Sequence, residues 1–198
     1  NQEFKPKLKV SYKPQYIKPE FDGTVREMLS TNIGRDFESG FFQAEIAHPL
    51  SLKHLIEKDV NTLSGGELQR VSIAECLGKT ADIYLIDEPS AYLDSNQRMV
   101  ASKTIRRAIE KIGKSAVVVD HDVYMIDLIS DSLMVFSGEP SVRGTAEGPM
   151  GMRDGMNKFL EAVHITFRRD QDSSRPRINK KDSRLDREQK ARGEYYYA

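Results

Sequence analysis

Two carboxylates, a histidine and a Ser-Gly-Gly turn are the residues of this 198-residue chain whose types and spacing could do chemistry. Asp87 and Glu88 follow the apolar run Ile83-Tyr84-Leu85-Ile86 and are stopped by Pro89. A short apolar run ended by acids reads as a buried parallel strand delivering both carboxylates to the carboxyl edge of a sheet. There one carboxylate can support magnesium, and the next can orient or activate water for attack on a phosphoryl group. A second run, Ser115 to Val119, reads as another buried strand and ends in Asp120-His121-Asp122, which brings His121 to the same edge. Upstream, Ser64-Gly65-Gly66 opens a helix marked by Leu68, Val71, Ala74 and Leu77, with Glu67, Gln69 and Arg70 between them. Glycines let backbone N–H groups approach a phosphate, the helix start adds partial positive charge, and Ser64 offers a hydroxyl.

The elements that must position these groups alternate between strands and helices. Lys7 to Tyr12 reads as a strand, and Pro14 and Pro19 then force an extended path that places Gln15 on a loop. Val25, Met28 and Leu29, then Phe41, Phe42 and Ile46, then Leu52, Leu55 and Ile56 mark short helices between Gly and Pro breaks, a helical subdomain over 24–80. Ser95 to Ile112 is a helix with Ala101, Ile105, Ala108, Ile109 and Ile112 on one face. A helix over Val123 to Ile129 and a strand over Leu133 to Phe136 complete the rhythm of a mostly parallel sheet. A Gly-rich phosphate loop is missing. Gly78-Lys79-Thr80 and Gly113-Lys114-Ser115 carry its last three letters, but Ile73 and Ala108 stand where the earlier glycine belongs. Each also leaves a helix and enters a strand, the reverse of what phosphate binding needs. Without such a loop, these residues alone are expected to bind and hydrolyse a nucleoside triphosphate poorly or not at all.

Taken in order, these residues resemble an ATP-binding cassette: the Leu63-Ser64-Gly65-Gly66-Glu67 signature, the Asp87-Glu88-Pro89 Walker B end, the Ser90-Ala91-Tyr92-Leu93-Asp94 D-loop and His121 as switch. The tyrosine in that D-loop is similar to the ribosome-recycling, or RNase L inhibitor, family. So are Met156-Asn157-Lys158-Phe159-Leu160, Ile165-Thr166-Phe167-Arg168-Arg169-Asp170 and Arg175-Pro176-Arg177-Ile178-Asn179. The resemblance runs from about Leu8 to the end and points to the later part of the family's second cassette. It implies an α/β cassette domain over 1–163 without its Walker A part, and a hinge-like basic tail over 164–198. It implies ATP and Mg2+ as cofactors, with Glu88, His121 and Gln15 catalytic, and Asp87 and Gln15 serving the magnesium. Ser64, Gly65, Gly66, Glu67 and Asp94 would be nucleotide-facing, the signature reaching ATP held by the first cassette. For the whole protein it implies ribosome splitting driven by ATP, contact with the small subunit and with termination and initiation factors, and iron-sulfur clusters in a separate N-terminal domain.

Composition bounds the rest. Thirty Lys+Arg balance thirty Asp+Glu, so any nucleic-acid contact must be local. The stretch 167–198 holds ten Lys/Arg against six Asp/Glu, and ribosomal RNA is a candidate partner for it. Ser173 to Gly193 is either solvated decoration or a segment anchored through Ile178, Leu185 and Tyr195-Tyr196-Tyr197. Cys76 alone excludes an intramolecular disulfide and reads as packing; His48 and His54 read as surface or packing residues. No long apolar run suggests a membrane span or secretory signal, and the expected location is cytoplasmic. Two other functions stay open: a different cassette ATPase, such as a transporter motor or DNA-repair type, and a non-enzymatic binding fragment.

Overall fold

The computed structural model describes residues 7–139, 141–170 and 176–197, and packing divides the chain into two units, 1–129 and 130–198. The first is built on a parallel three-stranded sheet, order β1 (Val10–Lys13), β2 (Ile83–Asp87), β3 (Ser115–Val119). Tyr12, Leu85 and Val117 lie in one register row, and Lys13, Ile86 and Val118 in the next, so alternate rows face opposite sides. One side packs on helix α2 (Gly65–Gly78), against which α3 (Ser95–Ile112) lies in turn, and buries Ser11, Lys13, Tyr84 and Ile86. The other is open: Val10, Tyr12, Val117 and Val119 are each at least half exposed. The expected buried strand at 115–119 is thus a half-exposed edge strand; its apolar alternation fits a face that nothing covers among the described residues.

Helix α1 (Val25–Ile33) begins in a capping box between Thr24 and Glu27. After it the expected short helices form as 3-10 and π turns, because Gly34, Gly40 and Pro49 break any longer run. Their apolar residues still close a continuous core, in which Leu29, Phe42, Ile46, Leu52 and Leu55 are fully buried. Helix α2 is buried nearly all round, since it lies between the sheet and this helical layer, and even Gln69 is at 0% exposure. Both false phosphate loops behave as their direction requires. Lys79 follows α2 into β2 and pairs with Glu75, while Gly113 is the left-handed cap that ends α3.

Helix α4 (Val123–Ile129) forms where expected, but β4 (Ser132–Glu139) does not join the parallel sheet. It pairs antiparallel with β5 (Arg143–Gly151), and α5 (Met152–Ala162) packs on this hairpin. Strands β6 (Phe167–Arg169), β7 (Pro176–Ile178) and β8 (Tyr196–Tyr197) form a small sheet, order β7-β6-β8, with α6 (Arg184–Arg192) between β7 and β8 in the chain. The tail is therefore not decoration over 176–193; Ser173 to Arg175 lie outside the described residues. Of the expected apolar anchors Tyr196 is buried, and the others give way to a polar network. Thr166 Oγ1 donates to Asp186 Oδ1 at 2.6 Å, Lys190 pairs with Asp186 at 2.9 Å, and Asn179 Nδ2 donates to Thr166 Oγ1 at 3.0 Å. Tyr196 stacks on Phe167 with ring centroids 5.4 Å apart, whereas Ile178 and Leu185 remain largely exposed. Tyr196 N also donates to Asn157 on α5 at 2.8 Å, so 130–162 packs with the tail, and the packing boundary falls at 129/130 where 163/164 was expected.

Candidate functional site

The parallel register carries β1, β2 and β3 to a shared carboxyl edge, where Gln15, Asp87–Glu88 and His121 all lie just beyond or at strand ends. Asp87 shares a register row with Val119, the row of the open face. Glu88 adopts φ +44°, a left-handed conformation that non-glycine residues seldom take. His121 Nδ1 stands 3.7 Å from Glu88 Oε1; the imidazole is 77% exposed and the carboxylate 27%. That leaves the pair facing solvent, as groups that must meet a ligand and water should. Gln15 sits in the bend after β1, half-buried.

The two turns at this edge are tied together. Ser90 N and Oγ donate to the two Asp120 carboxylate oxygens at 2.9 and 2.7 Å, and Asp122 N also donates to Asp120 at 2.8 Å. Asp122 accepts from Met125 N at the start of α4 and from Arg98 at 2.7 Å. The His121 turn is thus fixed on both flanks while its imidazole stays free to meet a ligand.

Beneath the edge lie two residues that sequence patterning does not single out. Lys13 is at 0% exposure; its Nζ donates to Asp87 O at 2.7 Å and Pro14 O at 2.9 Å. Burial pushes its pKa down to about 8, against the opposing pull of Asp87 and weaker pulls from Cys76, Asp120 and Glu88. Gln69 Nε2 donates to Glu88 O at 2.8 Å. The alternation of Leu8, Val10 and Tyr12 with polar residues puts position 13 on the polar face, and the structure turns that face inward, with Ser11 and Lys13 buried and Val10 and Tyr12 exposed. Gln69 looked like part of a polar helix face.

At the start of α2, Ser64 and Glu67 form a capping box: Ser64 Oγ accepts from Glu67 N, and Ser64 N donates to Glu67 Oε2 at 2.9 Å. The Lys58 ammonium, together with the Ser64 amide and hydroxyl, holds the Glu67 carboxyl down to about 2. Gly66 packs against the Tyr92 carbonyl so closely that a Cβ would stand 2.9 Å from that oxygen, which explains glycine here. Asp94 caps α3, accepting from Gln97 N at 2.8 Å. Glu67 and Asp94 therefore act here as helix caps. Cys76 is buried beside Ser11, which donates to its carbonyl at 2.7 Å, and His48 and His54 are exposed. Among the described residues no three His, Cys, Asp or Glu side chains gather as a metal cage. Asp87 fits the sparser mode of magnesium, which takes one or two carboxylates and completes its shell with phosphate and water oxygens.

The family described as ABC transporter matches residues 2–91. Translation initiation factor RLI1 of Saccharomyces cerevisiae is 50% identical over 192 residues, 97% of this chain and 32% of its own length. An archaeal ribosome recycling factor solved in complex with the archaeal ribosomal stalk protein aP1 superposes with TM-score 0.90 at 57% identity, over 96% of this chain and 37% of that one. A solved RNase-L inhibitor does so with TM-score 0.90 at 56% identity, over 98% and 38%. The chain spans about a third of the length of the curated relatives it matches over nearly its whole extent. With half or more of its residues shared along almost all of its length and the same fold, this chain belongs to the RNase L inhibitor family of ATP-binding-cassette proteins.

Proposed function

We propose that this chain is the later part of the second cassette of a ribosome-recycling ATPase, with residues 24–80 as its helical subdomain and residues 164–198 as a hinge-like tail between the two cassettes. The carrying observation is the Glu88–His121 pair, solvent-facing at the end of the parallel sheet. Glu88 accepts the proton of the attacking water or orients it; His121 contacts the terminal phosphate and the water; Asp87 and the Gln15 amide serve the magnesium ion. Bound Mg-ATP supplies the phosphoryl group and neutralises its charge. Ser64 and the amides of Gly65 and Gly66 turn to the nucleotide of the first cassette, presented by the α2 N-terminus. The ribosome and its factors are the partners this reading gives the whole protein, supported by the recycling factor with its stalk partner and the initiation-factor relative. The ten basic residues of 167–198 are its candidate RNA contacts, and the cytoplasm is its location. Iron-sulfur clusters, on this view, belong to a separate domain, since Cys76 cannot supply about four thiolates.

Glu88→Gln in the full-length protein tests this. Removing the base while keeping the binding groups is expected to lower turnover by about 10²- to 10⁴-fold with ATP still bound and the cassettes closed. Unchanged turnover would sink the assignment.

A further inference from the structure

Glu88 holds a left-handed backbone that an ordinary side chain resists, so its surroundings must over-determine it. Two of its restraints are generic: its N–H donates to Val119 O at 2.7 Å, and Ala91 N reaches its carbonyl at 3.3 Å. The other two are expensive. Lys13 brings an ammonium group to 0% exposure to bond Asp87 O and Pro14 O, and Gln69, also at 0%, donates to Glu88 O while its Oε1 finds no partner among the described residues. A buried cation bonded to neutral carbonyls and an amide with one end unsatisfied both cost stability, so packing does not explain them.

We propose that Lys13 and Gln69 are positioning residues that clamp the Asp87–Glu88 turn from below and so set the carboxylates for hydrolysis, an inference that rests on the role assigned to Glu88. Lys13 joins the turn carrying Gln15 to the carbonyl of Asp87, making the two magnesium-side groups one rigid piece. Gln69 ties Glu88 to the helix that Ser64 opens. Neither side chain touches nucleotide, since both act on backbone carbonyls.

Gln69→Met and Lys13→Met in the full-length protein test the clamp, each assayed for kcat and KM with Mg-ATP and for Tm. Methionine keeps the volume and removes the donor. Replacing a buried ion by an apolar side chain is often neutral for folding, so Lys13→Met decides alone should Gln69→Met not fold. The expected result is a kcat lowered by about 10- to 100-fold with KM for ATP unchanged and Tm within about 4 °C of the parent. Parent kcat in either folded variant, or a loss carried by KM, overturns the clamp. Glu88→Gln run in parallel separates the two failures: if it remains active, the role of Glu88 fails. If it is inactive while the clamp variants run at parent speed, the clamp alone fails.

Discussion

Lys13 makes a testable signature at the scale of one residue, because its proton is held differently in the folded and unfolded chains. Unfolded, the side chain keeps its proton up to the ordinary lysine range; folded, burial lets it go at about 8. Between those values the unfolded state binds more protons, so unfolding free energy rises with pH, and the penalty of the buried charge is fully present below about 8. Other alkaline titrations cancel against Lys13→Met. The parent is therefore expected to gain ~3 kcal/mol relative to that variant between about pH 7 and about pH 10, read from urea unfolding at each pH. A constant difference would mean that Lys13 titrates as an exposed lysine. The same residue shows what patterning along the chain misses. That Asp87, Glu88 and His121 fall at one sheet edge was legible because each directly follows an apolar run that reads as a parallel strand. Lys13 and Gln69 were not, because their meaning lies in carbonyls 74 and 19 residues away that only the folded sheet brings near.

At the scale of elements, the sheet carries an unmet demand. Parallel sheets are covered on both faces, yet here Val10, Tyr12, Val117 and Val119 form an apolar face with nothing over it among the described residues. Asp87 belongs to that face. The 198-residue chain by itself is then expected to self-associate or bind an apolar dye through this face. A Tyr12→Lys, Val117→Lys pair should return it to a monomer in light scattering; self-association indifferent to both changes would point to another surface. Helices α3 and α4 and strands β2 and β3 were legible to within a residue, since each has its own cap, period or apolar run. Strand β4 was misplaced because an apolar run names a strand and not its partner, and Gly138 and Gly144 near the hairpin tip gave the only local hint of antiparallel pairing. The tail was left between two readings for a related reason. Its order comes from a buried network on Asp186, Thr166 and Asn179, and polar residues in a charged stretch look solvated until their partners are known.

At the scale of the molecule, the chemistry of the edge and the grip on the substrate are separable. The Glu88–His121 pair, Asp87 and the Ser90–Asp120 tie need nothing outside residues 1–129 to reach their geometry. What they lack is a cradle: the sequence holds no strand-to-helix glycine loop with lysine. Water activation accelerates hydrolysis only for a phosphoryl group already held in line, and most of the barrier reduction in such sites comes from that positioning and its charge stabilisation. A base without the cradle therefore contributes almost nothing. Mg-ATP turnover by the 198-residue chain is expected to match the buffer blank, and Glu88→Gln in that chain to change nothing, whereas the same substitution in the full-length protein is expected to lower turnover by about 10²- to 10⁴-fold. Release of phosphate by the isolated chain above the blank, abolished by Glu88→Gln, would mean that these residues grip the nucleotide by themselves and that the phosphate loop is not the decisive missing part.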